Sequence, residues 1–152
     1  MSPARVLFVC AGNICRSPLA EAIARRLASE RRLRVEFESA GVSAIDGGPA
    51  TPEALQVARE NGLDLSSFSS RSLTARAVRS ADLVLTMTAE QRDRSRSLGA
   101  RRALVVTELG SGSGRTVADP YGCGIAAYRR VYEELASEIE LVLDALEREA
   151  AA

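Results

Sequence analysis

Five residues separate Cys10 from Arg16 in the run Cys10-Ala11-Gly12-Asn13-Ile14-Cys15-Arg16-Ser17. A cysteine thiolate is a strong nucleophile. An arginine fork binds two oxygens of one phosphate. The apolar run Arg5–Cys10 reads as a strand buried on both faces. Ser17-Pro18 reads as a helix start, with Ser17 as N-cap and Pro18 at the first helical position. A loop curling from strand to helix aims several backbone N–H groups, and the positive end of the helix dipole, at one anion. Ala11, Gly12, Asn13, Ile14, Cys15, Arg16 and Ser17 are therefore candidate phosphate-binding residues. Gly12 suits a tight turn and Asn13 tolerates left-handed backbone. The same field favours the thiolate of Cys10, and Ser17 is placed to donate a hydrogen bond to it. The competing reading makes Cys10 a buried core residue and Arg16 a surface charge. The strand before, the Gly-Asn within and the Ser-Pro after weigh against it.

Cleaving a phosphate ester requires a proton for the leaving oxygen and then a base for the attacking water. The chain has no histidine. That excludes Ser-His-Asp triads and most zinc sites, and no metal or cofactor is expected. It has no lysine either, which excludes a GxxxxGK nucleotide loop. Asp119 is the candidate acid. It precedes Pro120, which holds it extended, and follows the glycine-rich stretch Gly110–Gly114. A lone Asp-Pro is also a common turn.

The elements that must position these groups follow from periodicity. Leu19, Ile23 and Leu27 recur every four residues and predict a helix to about Arg31. Arg34–Ser39 alternates as a second strand. Thr51-Pro52 opens a helix that Gly62 ends. Asp82–Met87 is a third strand, Ala89–Leu98 a polar helix and Ala103–Thr107 a fourth strand. Gly110–Gly114 reads as a flexible loop. Ile125–Arg148 is an amphipathic helix whose buried stripe is Tyr128, Val131, Tyr132, Leu135, Ile139, Val142, Leu143 and Leu146. Alternating strands and helices imply an α/β fold, with a parallel sheet covered on both faces, in one domain spanning 1–152. Ligands of such folds bind beyond the carboxyl ends of the strands, where Cys10 sits.

Hydrophobic residues make up 46% and charged residues 26%, with zero formal net charge. No global field recruits nucleic acid or an anionic membrane. No apolar run is long enough to span a bilayer, and no signal segment is readable. Three cysteines argue against a disulfide framework and for a reducing, cytoplasmic compartment.

VLFVCAGNICRSPLAE near the start, SAG at Ser39–Gly41, ADLVLTM at Ala81–Met87 and DPYG at Asp119–Gly122 together resemble the low-molecular-weight protein tyrosine phosphatase family, over nearly the whole chain. The resemblance implies a three-layer α/β/α fold on a four-stranded parallel sheet and a two-step mechanism through a phosphocysteine. It implies Cys10 as nucleophile, Arg16 as phosphate ligand, Asp119 as general acid and Tyr121 as a pocket wall. Asn13 and Ser39 would hydrogen-bond to fix the loop. Cys15 would form a reversible disulfide with Cys10; the alternative is a small residue packed under the loop. The expected partners are phosphorylated proteins, with inorganic phosphate or vanadate as inhibitors, on a monomeric protein.

Three departures stand out. Phe68 falls where many members carry a histidine, so the support network must be shorter or use Ser69 or Ser70. Ile45 is the nearest bulky residue where an aromatic often follows SAG, leaving Ile14, Ile45 and Tyr121 as the substrate pocket. A bacterial subgroup acts on phosphoarginine; Ala50–Ala54 and Ser80–Leu85 look close to it, but that subgroup carries threonine at the place of Ile14. Ile14 offers bulk and no hydroxyl, which favours phosphotyrosine, with phosphoarginine as the alternative. Arsenate reduction on this fold needs two further cysteines outside the loop, and only Cys123 is there. A non-catalytic phosphate-binding module would need neither Cys10 nor Asp119.

Overall fold

In the computed structural model, which describes residues 3–152, Arg5–Cys10 forms β1 and buries every residue but Arg5. It lies inside a four-stranded parallel sheet of order β2-β1-β3-β4. The partners are β2 (Glu36–Gly41), β3 (Leu83–Thr86) and β4 (Ala103–Val105). Alternation along the strands sorts the core into two layers. Val6, Phe8 and Cys10 join Leu83 and Leu85 on one face, and Leu7 and Val9 join Val84 on the other. The first face is covered by α1 (Arg16–Glu30), α2 (Pro52–Glu60) and α6 (Ile125–Ala151). The second packs against α3 (Ala75–Ser80) and the segment after α4 (Ala89–Ser97). Every residue of the expected α6 stripe is buried.

Several boundaries differ from the sequence reading, each for a physical reason. β2 lies two residues later than expected, because pairing with β1 sets its register from Arg5↔Glu36 to Cys10↔Gly41. β4 stops at Val105, where the chain turns into a one-turn helix, α5 (Val106–Leu109), with Glu108 accepting from the Val105 N–H at 2.7 Å. α3 was not expected; Thr74 caps it by accepting from the Ala77 N–H at 3.0 Å. The glycine-rich stretch is tied down rather than free. The Ser111 N–H donates to buried Glu138 at 2.9 Å, and the Gly112 N–H to the Thr107 carbonyl at 2.9 Å. α1 begins at Arg16, two residues before Pro18, so Cys15 rather than Ser17 is its N-cap and no side chain caps it.

Gly41 ends β2 against the loop that precedes α1. A Cβ there would collide with the Ala11 carbonyl oxygen and sit 2.8 Å from the Asn13 nitrogen. Gly41→Ala is expected to cost about 1–3 kcal/mol, a fall in Tm of roughly 2–12 °C. Thermal denaturation checks it, and an unchanged Tm would contradict so close an approach.

Candidate active site

Cys10 closes β1 on the face that meets α1, and its Sγ lies 2.9 Å from Ser17 Oγ. Asn13 Nδ2 donates to the same Ser17 oxygen at 2.8 Å. Ser17 therefore accepts from Asn13 and has its own proton free for the Cys10 sulfur. Asn13 is fully buried at φ 56°, the left-handed conformation that asparagine tolerates. Its other amide atom, Oδ1, accepts from the Arg71 backbone N–H at 2.8 Å. The turn thus uses Asn13 as its left-handed residue. Gly12 does not share that conformation, and a Cβ on it would meet only the Ile14 side chain, at 3.4 Å.

Ser39 does not join this network. Its hydroxyl donates to Glu21 at 2.6 Å, and Glu21 also pairs with Arg25 at 2.9 Å. Burial pushes the Glu21 carboxyl above its usual range, against the hydrogen bond from Ser39. The loop support expected of Ser39 comes instead from the main chain of Arg71. Phe68 packs against the core. Ser70 is buried and donates to the Ile45 carbonyl at 2.5 Å while accepting from the Gly48 N–H at 2.9 Å. It therefore braces the 45–48 segment rather than Asn13.

Arg16 is 4% exposed. One arm of its guanidinium donates to the Val117 carbonyl at 2.8 Å, and the other lies 3.7 Å from Asp119 Oδ2. The Val117 N–H donates in turn to Met87 O just past β3, so the sheet itself positions the acidic segment. Asp119 is half exposed, and its Oδ1 accepts from the Tyr121 N–H at 3.1 Å, leaving Oδ2 toward Arg16.

These groups meet around a cleft of about 280 Å³ lined by Cys10, Ala11, Gly12, Ile14, Cys15, Arg16, Ser43, Asp119 and Tyr121. Ile45 is not among them: it is 84% exposed, and the pocket role expected of it is not met. The Ser43 N–H donates to the Ala11 carbonyl at 2.9 Å, which lays that segment along the loop and puts small Ser43 in the wall. Asp46 then folds the chain back by accepting from the Ser72 N–H at 2.7 Å, which holds its carboxyl below the usual range. Ser43 carried no signal in the sequence, because the wall depends on where the backbone runs. A larger hollow of about 490 Å³, between α1, β2 and residues 63–71, contains Glu21, Arg25, Ser39 and Arg71 but no cysteine. Chemistry belongs to the smaller cleft.

Cys15 is buried below the loop, 3.2 Å from the Tyr128 hydroxyl and 3.8 Å from Thr51 Oγ1, and burial raises its thiol pKa. Cys123 is exposed near the Asp119 turn. Among the described residues no helix is long and apolar enough to cross a membrane.

A model of the low molecular weight phosphotyrosine protein phosphatases matches residues 5–152. The chain belongs to this family. It is a cysteine-dependent phosphatase built on the family's four-stranded α/β fold. It is 39% identical to a protein-arginine-phosphatase of Bacillus subtilis over 86% of this chain and 88% of that protein. It is 36% identical to the probable low molecular weight protein-tyrosine-phosphatase EpsP of Ralstonia nicotianae over 84% of this chain and 86% of that one. The crystal structure of a low molecular weight protein tyrosine phosphatase from T. tengcongensis superposes with a TM-score of 0.86 at 37% identity, covering 92% of this chain and 97% of that one.

In this phosphatase the Asn13 amide serves two partners that nothing else replaces. Asn13→Ala removes both and leaves a Cβ-bearing residue without Asn's local compensation at positive φ. Lost hydrogen bonds of about 1–3 kcal/mol translate into a roughly tenfold to hundredfold fall in kcat/KM. Steady-state kinetics on an aryl phosphate measures it, and a change of less than twofold would contradict the assigned role.

Proposed function

We propose that the protein hydrolyses phosphotyrosine in proteins through a phosphocysteine on Cys10. The observation that carries this reading is the convergence of Cys10, Arg16 and Asp119 on one cleft at the end of β1, with Ser17 against the Cys10 sulfur. The loop N–H groups and the Arg16 fork hold the phosphate oxygens. The Cys10 sulfur attacks phosphorus as the phosphorus–oxygen bond to the ring breaks. The leaving oxygen takes that electron pair and a proton from Asp119. Water then attacks the phosphocysteine, Asp119 removes its proton, and the sulfur leaves as a thiolate hydrogen-bonded by Ser17. Inorganic phosphate departs, and it competes with substrate, as vanadate does. Tyr121 offers a ring face to the substrate ring. The odd cysteine count supports a reducing, cytoplasmic setting, and we take the protein to act as a monomer.

Phosphoarginine is the second reading, favoured by the 39% identity to the Bacillus subtilis protein-arginine-phosphatase. Against it stands Ile14, which lines the cleft with no polar atom on its side chain. Asp119 offers a guanidinium some polar company there and Ile14 offers none; a polar group left unpaired in such a pocket loses about 1–3 kcal/mol, roughly tenfold to a hundredfold in rate. Phosphotyrosine peptides are therefore expected to show the higher kcat/KM, with Ile14→Thr shifting the ratio toward phosphoarginine. A wild-type preference for phosphoarginine, or an unmoved ratio in Ile14→Thr, would overturn the choice.

Cys10→Ser is expected to abolish turnover while vanadate still binds, because the N–H cradle and Arg16 remain. Isothermal titration of that variant, paired with its kinetics, is the check. Substantial residual turnover would remove Cys10 from the mechanism.

A further inference from the structure

Three helices bring their ends together beneath the phosphate loop. Cys15 is the N-cap of α1, Thr51 is the N-cap of α2, and Tyr128 sits in the first turn of α6. All three are buried, Tyr128 at 1% exposure. The Thr51 N–H donates to the Ile14 carbonyl at 3.0 Å, so Thr51 already holds the loop's main chain. Thr51 Oγ1 accepts from the Ala54 N–H at 3.3 Å and donates its proton to the Tyr128 hydroxyl oxygen at 3.1 Å. With that oxygen accepting from Thr51, the tyrosine proton is free for the Cys15 sulfur, 3.2 Å away. Ala54, Thr51, Tyr128 and Cys15 thus form one continuous hydrogen-bonded chain, with Thr51 Oγ1 also 3.8 Å from the Cys15 sulfur.

We infer that Tyr128 is a positioning residue for the catalytic loop, its hydroxyl fixing the Cys15 side chain and through it the backbone between Ile14 and Arg16. This rests on the reading of that loop as the phosphate site. The reacting atoms never touch Tyr128. Its effect passes through Cys15, whose residue carries the start of α1 and whose neighbour Arg16 holds the substrate. A tyrosine ring that merely filled the core would need no hydroxyl at this point. The hydroxyl is instead the last donor in a relay that starts at the α2 N-terminus and ends on the loop. Burial keeps both ends of the final bond protonated: it raises the Tyr128 hydroxyl and the Cys15 thiol above their ordinary values.

The test removes the hydroxyl and keeps the ring. In a Cys10→Ser, Cys123→Ser background Cys15 is the sole thiol. There Tyr128→Phe is expected to raise the rate constant for alkylation of the Cys15 thiolate by iodoacetamide, taken from the high-pH plateau because losing the hydroxyl also disfavours the thiolate, about tenfold or more. In the otherwise unaltered protein, Tyr128→Phe is expected to lower kcat on an aryl phosphate about fivefold to tenfold and to weaken inhibition by inorganic phosphate by a similar factor. The kinetic loss must be absent when Tyr128→Phe is added to Cys15→Ala, since the hydroxyl acts through Cys15. Unchanged alkylation, or the same kinetic loss with and without Cys15, overturns the inference. If the unaltered protein turned over no phosphate ester, the functional reading would fail, while the alkylation rate would still decide the role of Tyr128.

Discussion

The first turn of α1 has no side-chain cap, and the rest of the site is arranged around that fact. Helix N-termini leave backbone donors without partners, and most chains satisfy them with a nearby serine, threonine or aspartate. Here Thr51, Thr74 and Thr88 do so for α2, α3 and α4. At α1 the cap position is Cys15, whose sulfur faces Tyr128, and the nearby Ser17 hydroxyl is occupied by Asn13 and Cys10. The donors of that turn remain available to an anion, at the positive end of the helix dipole. A loop held open in this way must be braced from outside. The brace comes from Asn13 on Arg71, Thr51 on Ile14, Val42 and Ser43 on the loop carbonyls, and the missing Cβ of Gly41.

Charge balance follows from the same arrangement. Arg16 is almost fully buried, and a buried guanidinium without partners is strongly destabilising. The Val117 carbonyl and Asp119 supply those partners, from a segment anchored to the end of β3. On the proposed mechanism, the arginine that grips phosphate is also the group that holds the acid over the cleft. Asp119 itself stays half exposed, which in the proposed mechanism gives it access to the water of the second step. The loop and the acid lie about a hundred positions apart in sequence; the parallel strands β1 and β3 bring their carboxyl ends side by side.

Much of this was legible from residue type and spacing. The apolar run of β1, the left-handed Asn13, the Arg16 position and the α6 stripe each depend on local chemistry that the sequence carries openly. What was not legible depends on where backbone runs. Arg71 supports Asn13 through a main-chain N–H that any residue but proline provides. Ser43 reaches the cleft wall, and Ile45 leaves it, because hydrogen bonds from Ser70 and to Asp46 fold the intervening chain outward. Ser39 has a carboxylate partner on the neighbouring helix, Glu21, which no spacing in the strand announces. The short helices α3 and α5 lacked the length for a periodic signal.

The central claim is that the phosphoryl group passes through Cys10. Mixing the protein with excess aryl phosphate, quenching with denaturant during turnover, and locating the phosphoryl group by peptide mass spectrometry tests it most directly. Asp119→Asn, which slows the attack of water, enriches the intermediate. The mechanism predicts a phosphoryl group on the peptide containing Cys10 and on its sulfur. A phosphoryl group on another residue, or continued turnover with no phosphorylated protein in either form, would contradict it.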